Sequence, residues 1–124
     1  MSYIMVIEDN KDNADMIMHI LTAANYTVRH YTRGLEAAQA ARQNRPSLIL
    51  LDFNLPDVDG CVLALLLRKQ LGGASAPPIV ACTARVGRNE ARLAERYGCS
   101  AFLGKPFAPE DLLTLTERVL PKQP

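Results

Sequence analysis

Five polar side chains stand directly behind short apolar runs in this chain. Glu8 and Asp9 follow "YIMVI", Asp52 follows "SLILL", Thr83 follows "PIVAC", and Lys105 follows "AFL" after one glycine. If the first and third runs are neighbouring strands, three carboxylates meet in one crevice, an arrangement that is costly unless a cation offsets their repulsion. A divalent metal is the simplest solution, and hard oxygen ligands completed by water suit Mg²⁺ or Mn²⁺ better than zinc. Lys105 would add a positive point charge and Thr83 a hydroxyl donor. Together these are the parts of a phosphoryl-transfer site, in which a metal and donors stabilise the equatorial oxygens while a carboxylate attacks in line.

Such a site needs a frame that brings the ends of separate runs together. "YIMVI" (3–7), "SLILL" (47–51) and "PIVAC" (78–82) are continuous apolar runs, with "AFL" (101–103) a shorter one, as suits parallel strands covered on both faces. "TVRHY" (27–31) flanks Val28 with polar residues and reads as an edge strand. Between the runs lie helical stripes: Met16, Ile17, Ile20, Leu21 and Ala24; Leu35, Ala38 and Ala41; Leu112, Leu113, Leu115, Val119 and Leu120. Residues 60–71 predict a more uniformly apolar helix that ends at Gly72 and Gly73, and Ala91, Ala94 and Tyr97 mark a weaker stripe. The last helix opens with Pro109, Glu110 and Asp111, residues that suit a helix N-terminus, although Ala108 offers no polar cap. Five strands separated by five helices predict a βαβ series: a three-layer α/β sandwich with one doubly wound parallel sheet. In such sheets function gathers outside the carboxyl ends of the strands, where all five polar side chains fall.

Size and composition narrow the choice of function. At 124 residues and 48% hydrophobic content, residues 1–124 read as one domain with a real core, without room for a second catalytic or DNA-binding unit. A formal charge of +1 gives no footprint for direct nucleic-acid or anionic-membrane binding. The apolar runs are far shorter than a membrane span, and the N-terminus shows no signal segment, so a cytoplasmic location is expected. Cys61, Cys82 and Cys99 lack CxxC spacing and read as reduced, mostly buried thiols.

"VIEDN", "LLDFNLPDVDG", "ACTA" and "FLGKPF", in that order and at these separations, resemble the receiver domain of two-component response regulators across essentially the whole chain. The resemblance implies a (βα)5 flavodoxin-like fold, and it alone supplies the strand order 2-1-3-4-5. It implies Asp52 as the phosphoacceptor, charged by a sensor histidine kinase or a histidine phosphotransfer protein. Asp9 would ligate Mg²⁺ directly, Glu8 through metal-bound water, and Asn54 through its backbone carbonyl. Thr83 and Lys105 would each bind a phosphoryl oxygen, and Phe102 would be the aromatic switch that moves with Thr83. Pro106 suggests a cis peptide after Lys105 that could aim the amine into the site. Partner binding would switch through the fourth helix and fifth strand, in a monomer or a phosphorylation-dependent dimer.

Plainer roles stand beside these. Asp52 suits a helix-preceding cap, Thr83 a strand end, Lys105 a solvated loop and Phe102 simple packing. Glu8 and Asp9 could cap the first helix, but Asn10, Asp12 and Asn13 are equally suited. Asp57 and Asp59 are expected to shape the loop and open the third helix. "DVDG" fails as a calcium loop, because Leu55 and Leu66 would fall where oxygen ligands are required. His19, within the first helix, and His30, on an edge strand, read as ordinary side chains. Arg85, Arg88, Arg92 and Arg96 could read an acidic partner, with a solvated helix as the plainer account. Two other functions compete: an adaptor that works unphosphorylated, and a Mg²⁺-dependent aspartyl-phosphate phosphatase. The second is disfavoured because such enzymes often place an aspartate acid/base two residues after the nucleophile, where this chain has Asn54.

Overall fold

Alternate residues along each central strand point to opposite faces of a sheet, so a strand buried on both faces has to be apolar throughout. That is the case for β1 (Ile4–Ile7), β3 (Leu48–Asp52) and β4 (Ile79–Thr83), every residue of which is buried. β2 (Val28–Tyr31) and β5 (Ala101–Gly104) are only partly covered, and they form the two edges. The computed structural model describes residues 2–84 and 88–120, and the side chains of 88–91 lie outside that description. All pairings are parallel, in the order β2-β1-β3-β4-β5. The expected doubly wound sheet, including its strand order, is the observed one.

Two half-cores lie on either side of this sheet. Met5, Ile7, Ile49, Leu51, Ile79 and Ala81 face α2 (Gly34–Gln43), α3 (Gly60–Gln70) and α4 (Arg88–Arg96) through Ala37, Ala41, Leu63, Leu67 and Ala94. Ile4, Val6, Leu48, Leu50 and Val80 face α1 (Lys11–Ala23) and α5 (Pro109–Val119) through Ile17, Leu21, Leu112 and Leu115. The three layers follow directly from the strand alternation. A short 3₁₀ turn (Gly73–Ser75) follows α3, with Gly72 and Gly73 at positive φ where other residues would be strained.

The helical stripes need three corrections. Met16 is exposed on α1 and Ala24 just beyond its end, and Leu35 is 53% exposed at the start of α2, where Ala37 takes the buried position. Leu35 fails because α2 turns its small residues inward, letting it lie close to α3. Gly34 shows how tight this contact is, since a Cβ there would sit 2.5 Å from Val58 and 2.6 Å from Leu63. In α4, Ala94 is buried and Tyr97, just beyond the helix, is partly buried; Ala91 falls among the side chains outside the description. No helix among the described residues is long and apolar enough to cross a membrane.

Candidate functional site

Because the strands are parallel, their carboxyl ends share one edge of the sheet. Asp52, the last residue of β3, pairs with Cys82 on β4, and Thr83 pairs with Gly104 on β5. The Lys105 amide donates to the Thr83 carbonyl at 2.8 Å, continuing the β4–β5 ladder by one step. The Lys105–Pro106 peptide is cis, as the sequence suggested. Glu8, Asp52 and Thr83 are buried, and Asp9 is exposed at the rim.

The Lys105 ammonium donates to Glu8 Oε1 and lies 3.5 Å from Asp52 Oδ2. The single cation is thus shared between two buried carboxylates and cannot neutralise both. Burial, followed by the hydrogen bond with Asp52, raises the Glu8 pKa to about 7 against the opposing pull of Lys105. For Lys105 burial acts to lower the pKa, but the Glu8 hydrogen bond and the Asp52 charge outweigh it, and the net shift is upward. Oxygens of Glu8, Asp9 and Asp52 come within 4.8 Å of one another. Three carboxylates with one ammonium shared between two of them form an all-oxygen donor set that fits a hard divalent cation such as Mg²⁺ or Mn²⁺. The neighbouring Cys82 is no competing soft ligand, because burial pushes its thiol up to about 12 and keeps it protonated.

Local structure holds these groups in place. Asn54 donates its backbone N–H to Asp52 Oδ1 at 3.0 Å and bridges to Asp59 across the loop after β3. That loop then has to turn tightly into α3. Gly60 permits this, since a Cβ there would lie 2.3 Å from the Phe53 Cα. Asp59 caps α3, accepting from the amides of Cys61 (2.8 Å) and Val62 (3.3 Å). Asn10, not the two acids before it, caps α1 by accepting from Asn13 at 2.9 Å, while Glu8 Oε2 accepts from the Asn10 amide at 3.3 Å. Phe102 lies mid-strand in β5, opposite Ala81 and half-buried against the α2–α3 side of the core.

Two contacts lie beyond the sequence reading. Asp57 does not shape the α3 end of its loop; its carboxylate caps α2 instead, accepting from Gly34 (2.9 Å) and Leu35 (3.0 Å). This ties the loop after β3 to the neighbouring helix, and Arg33, the residue before α2, supplies no side-chain cap to hint at it. His30 donates from Nε2 to the Glu8 backbone carbonyl at 2.7 Å, taking up an acceptor at the point where β1 leaves the sheet. Neither contact has a local signal, because each joins residues more than twenty positions apart. His19 is exposed on α1. Of the arginines of the fourth-helix region, Arg92 and Arg96 are exposed, while Arg85 and the side chain of Arg88 lie outside the described residues.

Comparison with known proteins converges on one family. Residues 4–117 match the family model of the response regulator receiver domain. The polar-differentiation response regulator DivK of Brucella anthropi is 31% identical over 105 residues, covering 85% of each chain. Among solved structures, the Vibrio cholerae chemotaxis protein CheY4 superposes with a TM-score of 0.88 at 29% identity, covering 97% of this chain and 99% of that one. The receiver domain of the Pseudomonas aeruginosa sensor histidine kinase PA1611, solved with a magnesium ion coordinated in its active-site cleft, gives a TM-score of 0.85 at 30% identity, covering 95% and 96%.

Proposed function

We propose, for a chain that belongs to the response regulator receiver domain family, that Asp52 accepts a phosphoryl group and that the resulting aspartyl phosphate switches partner binding. Receiver domains of this family interact with histidine kinases or phosphotransfer proteins, and a phosphohistidine on such a protein is the donor in this reading. An Asp52 carboxylate oxygen attacks phosphorus in line, the O–P bond forms as the P–N bond breaks, and the departing imidazole takes up a proton. Glu8, Asp9, Asp52 and the Asn54 backbone carbonyl would hold Mg²⁺, or Mn²⁺, which when bound offsets carboxylate repulsion and the charge on the phosphoryl oxygens. The magnesium reported for the PA1611 receiver supports this choice of ion.

The convergence of Lys105 on both Glu8 and Asp52 carries the reading. A phosphoryl group on Asp52 offers oxygens to the ammonium 3.5 Å away and to the Thr83 hydroxyl on the adjoining strand. Moving Thr83 toward the phosphoryl group leaves space that Phe102 fills, and α4 with β5 repacks. Among the described side chains of the α4 segment, Ala94 and Tyr97 seat it in the core, and so slender an anchor lets small forces bias it between two arrangements. Asn54 carries no titratable proton, so the chain acts on its own aspartyl phosphate without turning over external esters. We read residues 1–124 as one receiver domain in the cytoplasm, where its three cysteines stay reduced.

The test is intact mass after incubation with acetyl phosphate, with and without Mg²⁺. The expected result is one added phosphoryl group that requires the metal and disappears in Asp52→Asn. No gain with acetyl phosphate or with a phosphohistidine donor would reject the reading in favour of an adaptor that works unphosphorylated.

A further inference from the structure

Three of the five large apolar side chains exposed among the described residues lie on α3: Val62 (55%), Leu65 (45%) and Leu66 (41%). At helical spacing, Val62, Leu65, Leu66 and Lys69 form one continuous outward stripe, opposite the buried Leu63, Ala64 and Leu67. Its flanks are fixed by contacts: Arg68 reaches the Gly98 carbonyl on the α4 side, and Gln70 reaches the Ala38 carbonyl on the α2 side. Among the described residues no element covers the stripe. A helix interior could have placed polar residues there at no cost to the fold, and contiguous exposed apolar surface marks interaction sites.

The charges at its two ends identify the occupant. The N-terminal end carries the exposed carboxylate of Asp59, and the last turn carries Arg68 and Lys69 with no acid between them. A two-fold axis perpendicular to the helix near Ala64 sets Val62 against Leu66 of the other helix and Asp59 against its Lys69. The same antiparallel setting opposes the two helix dipoles. A surface that is apolar at its centre and opposite in charge at its ends is complementary to itself. An acidic partner helix would meet Lys69 and Arg68 favourably but Asp59 unfavourably.

We propose that the exposed face of α3 pairs antiparallel with the same face of a second copy of this chain. An eleven-residue helix is about 16 Å long and about 10 Å across, so one such pair covers only a few hundred Å² per partner. That places the contact in the weak, reversible class. It lies on the outer face of the α2/α3/α4 layer, and only its Asp59 end approaches the loop that follows β3.

The test is sedimentation of the full chain at concentrations rising from micromolar to millimolar, beside Leu65→Glu and Lys69→Glu. The expected result is a monomer–dimer equilibrium that Leu65→Glu abolishes and Lys69→Glu weakens at least several-fold. Acetyl phosphate labelling and thermal unfolding of both variants should stay close to the parent, which separates a lost contact from a lost fold. Val62→Cys and Leu66→Cys chains should cross-link to each other in mixed samples faster than either cross-links to itself. A monomer at every concentration would overturn the proposal, as would a dimer indifferent to Leu65→Glu in a folded variant. Monomers that bind an acidic amphipathic helix through Leu65 would assign the face to a different protein, and would overturn it too.

Discussion

Lys105 Nζ lies 3.5 Å from Asp52 Oδ2 while donating to Glu8, so one ammonium just after β5 spans a carboxylate just after β1 and another at the end of β3. The three strands meet only through the parallel sheet, and the cis Lys105–Pro106 peptide follows directly after the amine-bearing residue. This relationship governs what happens when any of the three is altered.

Lys105→Met removes the cation that bridges two buried carboxylates. Glu8 and Asp52 side chains are 2% and 7% exposed, and breaking a buried pair in this way costs about 3 kcal/mol when the remaining charge can partly escape by taking up a proton. Urea unfolding without metal should show that loss, and adding Mg²⁺ should recover more of it than Mg²⁺ adds to the parent. Phosphoryl incorporation should fall by at least tenfold, since one hydrogen-bonding charge is lost where phosphoryl oxygens form.

Stability without metal should fall as pH rises from 4.5 to about 7. The Glu8 pKa is raised on folding from 4.5 to about 7, so the folded chain holds a proton that the unfolded chain has released. The contribution is fully present below 4.5 and is lost as pH passes through about 7. Mg²⁺ affinity should rise over the same window, because the metal displaces that proton. Thermal unfolding across this range, with and without Mg²⁺, checks both slopes, and Glu8→Gln should flatten the metal-free one.

Two aspartates of one loop should separate by the helix each caps. Asp59→Ala removes the acceptor for two α3 amides and should cost about 1 kcal/mol in urea unfolding. Asp57→Ala should lower the melting temperature through α2, whose first amides it holds. Those hydrogen bonds depress the Asp57 pKa below 3.8, so its contribution is present above that pH and is lost as the folded-state carboxyl protonates in acid. The acid limb of the unfolding curve should therefore flatten in Asp57→Ala.

Gly60→Ala should destabilise more than the loss of either cap. The clash would be with the Phe53 backbone, 2.3 Å from the new Cβ, and backbone cannot turn away as a side chain would. Since Asn54 orients Asp52 from the same loop, phosphoryl incorporation should fall in the fraction that remains folded.

Much of the frame was legible because parallel strands buried on both faces read as unbroken apolar runs. Glu8, Asp52, Thr83 and Lys105 stood out for the same reason, each being polar where such a run stops. Strand order was not legible from pattern, since the four apolar runs are chemically alike, and it came from family resemblance. Each of those strands was placed within about one residue of its bounds, Asp52 and Thr83 proving to be the last residues of β3 and β4. Leu35 misled because size suggests burial, whereas the α2–α3 contact is close enough to admit only small residues. The Asp57 cap of α2 and the His30 contact depend on which segments the topology sets side by side, information that no local window holds.

The most direct measurement is the chemical identity of the modified residue. Reduction of the phosphorylated chain with borohydride converts an aspartyl phosphate to homoserine, and peptide mass spectrometry then locates it. The account predicts homoserine at position 52 alone, dependent on Mg²⁺ and on a phosphodonor. Homoserine at another aspartate, or a phosphoryl group on a residue that resists reduction, would contradict it.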